Sequence, residues 1–165
     1  MKKYLYLISG TMGVGKTGVC QSLKKKLKNA VFLDGDWCWD ADPFQINDET
    51  KRIVVDNICH LLNNFIRCTV YDNVIFCWVM HEQNIIDDIV SHLDLTNCDV
   101  KSISLICRSD VLAKRLGNDI KAGIRQKDVL VRSIERLPLY DLLNTIKIDV
   151  SDLSIEETAE VVIAL

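Results

Sequence analysis

Short apolar runs alternate with amphipathic stretches along the whole chain. Residues 4–8 (YLYLI) are an unbroken apolar run closed by Ser-Gly, the mark of a strand buried on both faces. Val19, Leu23 and Leu27 then recur at four-residue spacing beside Cys20, which predicts a helix over 16–28. Lys24, Lys25, Lys26 and Lys28 fall on its other sides and last turn, a solvated arrangement favourable at a helix C-terminus. Residues 30–34 (AVFLD) predict a second strand. Asn47, Asp48 and Glu49 supply a cap and a negative first turn for a helix carrying Val54, Val55, Ile58, Leu61, Leu62 and Phe65. Residues 74–80 (VIFCWVM) are the strongest strand signal, and Ile85, Ile86, Ile89, Val90 and Leu93 mark the next helix. Residues 100–107 (VKSISLIC) alternate as a fourth strand, and Ser109 is placed to cap a helix holding Val111, Leu112 and Leu116. Residues 117–127 (GNDIKAGIRQK), polar and with two glycines, predict a mobile loop. A helix at 128–137, a turn at Pro138, a strand at 146–150 and a helix at 154–164 complete the pattern.

Strands that alternate with helices predict an α/β three-layer sandwich, a central parallel sheet of about five strands covered on both faces. Right-handed crossovers put the loops after the strands on one edge, where ligands of such sheets bind. The expected organisation is a single domain over 1–165. At 165 residues a chain buries roughly 70% of its unfolded surface, enough for a core. The net charge of −3, from 20 basic against 23 acidic residues, gives no reason to expect a nucleic-acid or membrane partner. The seven cysteines form no CxxC or CxxH pair and several sit inside apolar runs. They read as reduced thiols acting as small hydrophobes. With only a short apolar run after Met1-Lys2-Lys3, the chain reads as cytoplasmic.

The chemistry is announced by Gly10-Thr11-Met12-Gly13-Val14-Gly15-Lys16-Thr17. This meets GxxxxGK[ST] in full, after a predicted strand and at the start of a predicted helix. The three glycines let main-chain N–H groups close on phosphate oxygens, and the following helix points its positive end at the same place. Lys16 offers a mobile charge to the β- and γ-phosphates, and Thr17 offers a hydroxyl to Mg²⁺. Gly18 departs from loops that carry a second hydroxyl residue there, leaving only its backbone to reach the α-phosphate.

Phosphoryl transfer to an alcohol also needs a metal partner and a group that takes or orients the hydroxyl proton. Asp34 and Asp36 stand at the end of the second strand, on the active edge of the sheet. With D-x-D in that place, the chain resembles the P-loop small-molecule kinases: shikimate kinase, gluconate kinase and chloramphenicol phosphotransferase. The resemblance implies a P-loop kinase architecture with a mobile lid at 117–127. It gives Asp34 a place beside the metal with Thr17, through water, and Asp36 the substrate and base role. Arg136-Leu137-Pro138-Leu139-Tyr140-Asp141 is similar to the R-x-P-L-Y-[ED] segment of shikimate kinases, which implies that Arg136 grips the acceptor. By the same resemblance Arg115 lies against the adenine, Arg125 is the lid arginine that neutralises the transferring phosphate, and Ile148-Asp149-Val150-Ser151 borders the base. The nucleotide site is thus expected to comprise Gly10, Thr11, Met12, Gly13, Val14, Gly15, Lys16, Thr17, Gly18 and Arg115.

Two departures matter. Where shikimate kinases carry glycines after the third strand, this chain has Trp78-Val79-Met80-His81. That strand also ends without a Walker B aspartate, which weighs against a motor or switch ATPase. Trp37, Trp39, Phe44 and Trp78 fall near the acceptor side, where they either line the site or pack in the core or lid, and His81 is either an acceptor ligand or a plain helix-start residue; Trp37, Trp78 and His81 join Asp36 and Arg136 as acceptor-site candidates. The expected activity is an ATP- and Mg²⁺-dependent phosphotransferase acting on a hydroxyl of a small molecule. The alternatives are an ATP-binding module without transfer chemistry, in resistance or regulation, and an NTP hydrolase.

Overall fold

The computed structural model describes residues 2–165. A five-stranded, all-parallel sheet in the order β2-β3-β1-β4-β5 forms its middle layer. The strands are β1 (Lys3–Ser9), β2 (Ala30–Asp34), β3 (Asn73–Trp78), β4 (Cys98–Ile106) and β5 (Ile146–Asp149). The helices are α1 (Lys16–Lys26), α2 (Asp48–Arg67), α3 (Gln83–Ser91), α4 (Ser109–Lys121), α5 (Asp128–Arg136) and α6 (Ile155–Ala164). The α/β sandwich expected from the alternating pattern is therefore the observed architecture.

β1 lies at the centre, so alternate residues feed two cores. Leu5 and Leu7 pack with Phe76, Ile58, Leu62, Ile89 and Tyr140 beneath α2 and α3. Tyr6 and Ile8 pack with Ile75, Ile103, Val19, Leu23, Ala159 and Val162 beneath α1 and α6. Burial on both faces explains why β1 reads as an unbroken apolar run. α2 begins with the expected cap, a box in which Asn47 Oδ1 accepts from Thr50 N at 2.9 Å and Thr50 Oγ1 accepts from Asn47 N at 3.0 Å.

Several boundaries differ from the sequence expectation, most by a residue or two, and four of the differences have a visible cause. β3 ends at Trp78, because its last pairings are Cys77 with Asp34 and Trp78 with Ser9. The apolar run continues to Met80 because that side chain is buried although its backbone turns to a φ of 38°. Ser109 is the first residue of α4 rather than its cap; Arg108 precedes it without a side-chain cap bond. The loop expected at 117–127 is helical as far as Lys121. Gly117 sits inside α4, at a cost of about 1 kcal/mol relative to alanine, and Gly123 ends the helix at a φ of 73°. There Ile124 N donates to Asp119 O at 2.9 Å and Gly123 N to Ile120 O at 3.1 Å, a Schellman ending. Lastly, α5 stops at Arg136, and Leu137–Leu142 continues as a 3-10 turn containing Pro138.

Candidate active site

The glycine loop joins β1 to α1, as its motif requires. Gly15 stands at the N-cap of α1 with a φ of 107°, and Gly13 has a φ of 81°. Both lie in the left-handed region that side chains resist. At Gly13 space is short as well: a Cβ would stand 2.5 Å from Leu116 Cδ2, so α4 rests directly against the loop. Gly18 has a packing reason too. A Cβ there would fall 2.7 Å from Ile155 Cδ1, so the hydroxyl residue often found at that position is replaced here by contact with α6.

Lys16 reaches back over the loop, and its Nζ donates to Gly10 O at 2.7 Å and Thr11 O at 3.0 Å. Burial pushes its pKa down, opposed in part by Cys77 and by the carboxylates of Asp36 and Asp34. The Thr11 side chain is engaged elsewhere: its Oγ1 donates to Ser133 O of α5 at 3.0 Å.

The second strand delivers both carboxylates. Asp34, buried at its end, accepts from Thr17 Oγ1 at 3.0 Å through Oδ2 and from Asp36 N at 3.1 Å through Oδ1. This Asx bond folds Gly35–Cys38 into a single 3-10 turn and brings Asp36 round to the same edge. Asp36 Oδ1 accepts from Trp78 Nε1 at 3.1 Å. Its side chain is open to solvent on one side, but the cleft walls and the charge of Asp34 raise its pKa above the ordinary carboxylate value. Lys16, the indole bond and Arg125 act in the opposite direction.

A cleft of about 210 Å³ brings together Lys16, Thr17, Asp34, Asp36, Trp78 and Arg125. Arg125 follows the end of α4, and its Nε donates to Asp119 Oδ2 at 3.0 Å. Asp119 lines the same cleft. The sequence reading passed over it, although it lies only six residues before Arg125 in the loop assigned to the lid. Gly35 has a packing role that its place in the sequence does not announce. A Cβ at Gly35 would lie 2.6 Å from Trp78 Cγ, so the indole rests on the Gly35 backbone and this glycine sets where Trp78 stands.

Other expected ligands lie elsewhere. Trp37 is 57% exposed and meets Phe32 edge-on at 5.2 Å, outside the cleft lining. The 3-10 turn throws it outward, and Trp39 instead packs against Trp78. Arg115 donates to Val14 O at 3.2 Å and Val150 O at 3.0 Å, bracing the glycine loop against the chain after β5. His81 and Arg136 are also outside the cleft lining. His81 Nε2 lies 3.4 Å from the Glu82 carboxylate, and its buried Nδ1 has no partner among the described residues. Burial, then the charge of Arg136, lowers its pKa. The RLPLY segment is held instead by Tyr140, whose buried hydroxyl donates to Val79 O at 2.7 Å.

The profile of a family described as an AAA domain matches residues 7–134, and the chain belongs to that family. No curated protein matches it in sequence. Among solved structures it is similar to the Deinococcus radiodurans tunicamycin resistance protein, with 20% identity and a TM-score of 0.76 over 99% of this chain and 95% of that one. It is also similar to a gluconokinase from Sinorhizobium meliloti 1021, with 16% identity and a TM-score of 0.70 over 96% and 89% of the two chains. A third likeness is to shikimate kinase from Aquifex aeolicus, with 17% identity and a TM-score of 0.62 over 98% and 94%. These likenesses establish a shared P-loop kinase fold. Among the described residues no helix is long and apolar enough to cross a membrane.

Proposed function

With membership in the AAA-domain family as the premise, we propose that this chain is an ATP- and Mg²⁺-dependent phosphotransferase that acts on the hydroxyl of a small molecule. The observation that carries the reading is the pairing of the glycine loop with two differently placed carboxylates. Asp34 is buried against Thr17, while Asp36 faces the open cleft. The first suits the metal partner that any nucleotide site needs; the second is placed to take or orient the proton of an attacking hydroxyl. The likeness to a gluconokinase and a shikimate kinase supports the same direction.

The donor set fits the metal. A hydroxyl and a carboxylate oxygen 3.0 Å apart, Thr17 Oγ1 and Asp34 Oδ2, stand at the lip of an open cleft. One or two oxygen ligands with room for water and phosphate suit Mg²⁺. When bound, ATP with Mg²⁺ supplies the phosphoryl group and neutralises part of its charge.

The residues of the chain then have separable tasks. The backbone N–H groups of the loop hold phosphate oxygens. Lys16 exchanges the carbonyls of Gly10 and Thr11 for the β- and γ-phosphates. Arg125 exchanges Asp119 for the group in flight. Asp36 has one oxygen tied to Trp78, which leaves Oδ2 to accept the acceptor's hydroxyl proton. Its raised pKa makes it a stronger base than an ordinary aspartate while it is ionised.

The test is ADP release across a panel of alcohols, sugars and nucleosides, with and without Mg²⁺. We expect acceptor-dependent release that falls by about 100-fold or more in Asp36→Asn. Asp36→Asn transferring at the native rate, or ADP release indifferent to every acceptor, overturns the reading.

A further inference from the structure

Asp36 is the first step of an aromatic path. Its carboxylate holds the Trp78 indole N–H at 3.1 Å. The Trp78 ring meets Trp39 at 5.9 Å and 77°, and Trp39 meets Phe44 at 4.8 Å and 74°. Three rings in successive edge-to-face contact thus run from the cleft carboxylate to the surface. The path begins at a cleft-lining residue and ends in water: Phe44 is 52% exposed, and Ile46 beside it 57%. Trp78 and Trp39 rest on the core with one side, and their other side continues to exposed Phe44 as one apolar strip leading out of the cleft; continuous strips of that kind mark binding surfaces.

The chemistry of the surrounding segment narrows the occupant. Residues 36–49 contain five carboxylates and no lysine or arginine. This stretch therefore offers no partner to an anionic acceptor, and Arg136, expected to grip one, lies outside the cleft lining. The rings offer π-faces and C–H edges instead of the multiple hydrogen bonds that a bare sugar needs.

Resting on the phosphotransferase reading above, we propose that the acceptor is an alcohol bearing a flat apolar group, such as an aryl ring, uncharged or positive in that part. Its hydroxyl sits at Asp36 and its ring lies along Trp78, Trp39 and Phe44. Trp78 has two tasks here, positioning the carboxylate and forming the first face of the subsite. Gly35 makes both possible by letting the indole lie on the backbone.

Equilibrium binding tests this without relying on turnover. The chain has three tryptophans, so ¹⁵N-labelled protein gives three indole N–H signals, assigned by single Trp→Phe variants. Titrated with 2-phenylethanol, the Trp39 and Trp78 signals shift saturably and the Trp37 signal stays; titrated with myo-inositol, none moves. Phe44→Ala weakens the aryl alcohol about fivefold, the value of one edge-to-face contact. Equal shifts from the two alcohols, no saturable shift from 2-phenylethanol, or unchanged affinity in Phe44→Ala overturns the proposal. The ADP-release panel keeps the two readings apart. Aryl binding with no transfer to any alcohol removes the phosphotransferase reading and leaves the subsite. Transfer that favours bare sugars over their phenyl glycosides removes the subsite and leaves the phosphotransferase.

Discussion

Asp36 carries the base role in the proposed transfer, and its charge has a price in stability. Its folded state holds the proton more tightly than an unfolded aspartate does, so ionising it costs stability once the pH rises past the ordinary value of 3.8. Asp36→Asn removes that cost. We expect it to unfold at a slightly higher temperature than the native chain at pH 7, the gain being small because the carboxylate is open on one side. The gain should disappear in melts below pH 3.8. The same raised pKa places the acid limb of kcat/KM above 3.8, read from a pH profile of transfer. At this scale the sequence was legible where a residue type is tied to backbone geometry, as at Gly13 and Gly15. It was less so for side chains thrown by a turn. Trp37 and Trp39 are two apart and look interchangeable along the chain, yet the 3-10 turn sends one outward and packs the other on Trp78.

Among the elements, α4 shows how packing overrides composition. Gly117, Asn118 and Asp119 look like a loop because their intrinsic helix preference is poor. Leu112 and Leu116 are fully buried, Leu116 against the glycine loop, and that anchorage carries the helix on to Lys121. The part of the expected loop that is not helical is therefore the short stretch between Gly123 and α5. Its arginine starts in an ion pair with Asp119, both side chains about one-third exposed (32% and 33%). Breaking a pair of that exposure costs little. Asp119→Asn releases Arg125 in advance, and nucleotide affinity measured calorimetrically at low salt should rise about threefold. Arg125→Gln should lower it, and an unchanged affinity in both variants would remove Arg125 from the nucleotide site.

For the molecule as a whole, the expected layers were readable because each strand is apolar and each covering helix has one apolar stripe. What remained hidden was contact between segments distant in sequence. Gly18 is the clearest case. Taken alone it is a helix-weakening oddity, and only the fold shows α6 lying where its side chain would go. Ser22 Oγ donating to Glu156 at 2.8 Å and Lys26 paired with Glu160 at 2.5 Å continue the same seam. We expect Gly18→Ala to gain nothing in the native background, because crowding by Ile155 cancels the helix propensity. In an Ile155→Ala background the same change should stabilise by about 1 kcal/mol, measured as a double-mutant cycle in urea.

The glycine loop is made before the groups that wedge against it. Leu116 seats Gly13, the Ser133 carbonyl holds Thr11, and Ile155 fills the space beside Gly18. During synthesis, then, the phosphate cradle leaves the ribosome unfinished, before its supports have been made. A nascent chain that stops short of Ile155 carries the loop without one of the side chains that seat it.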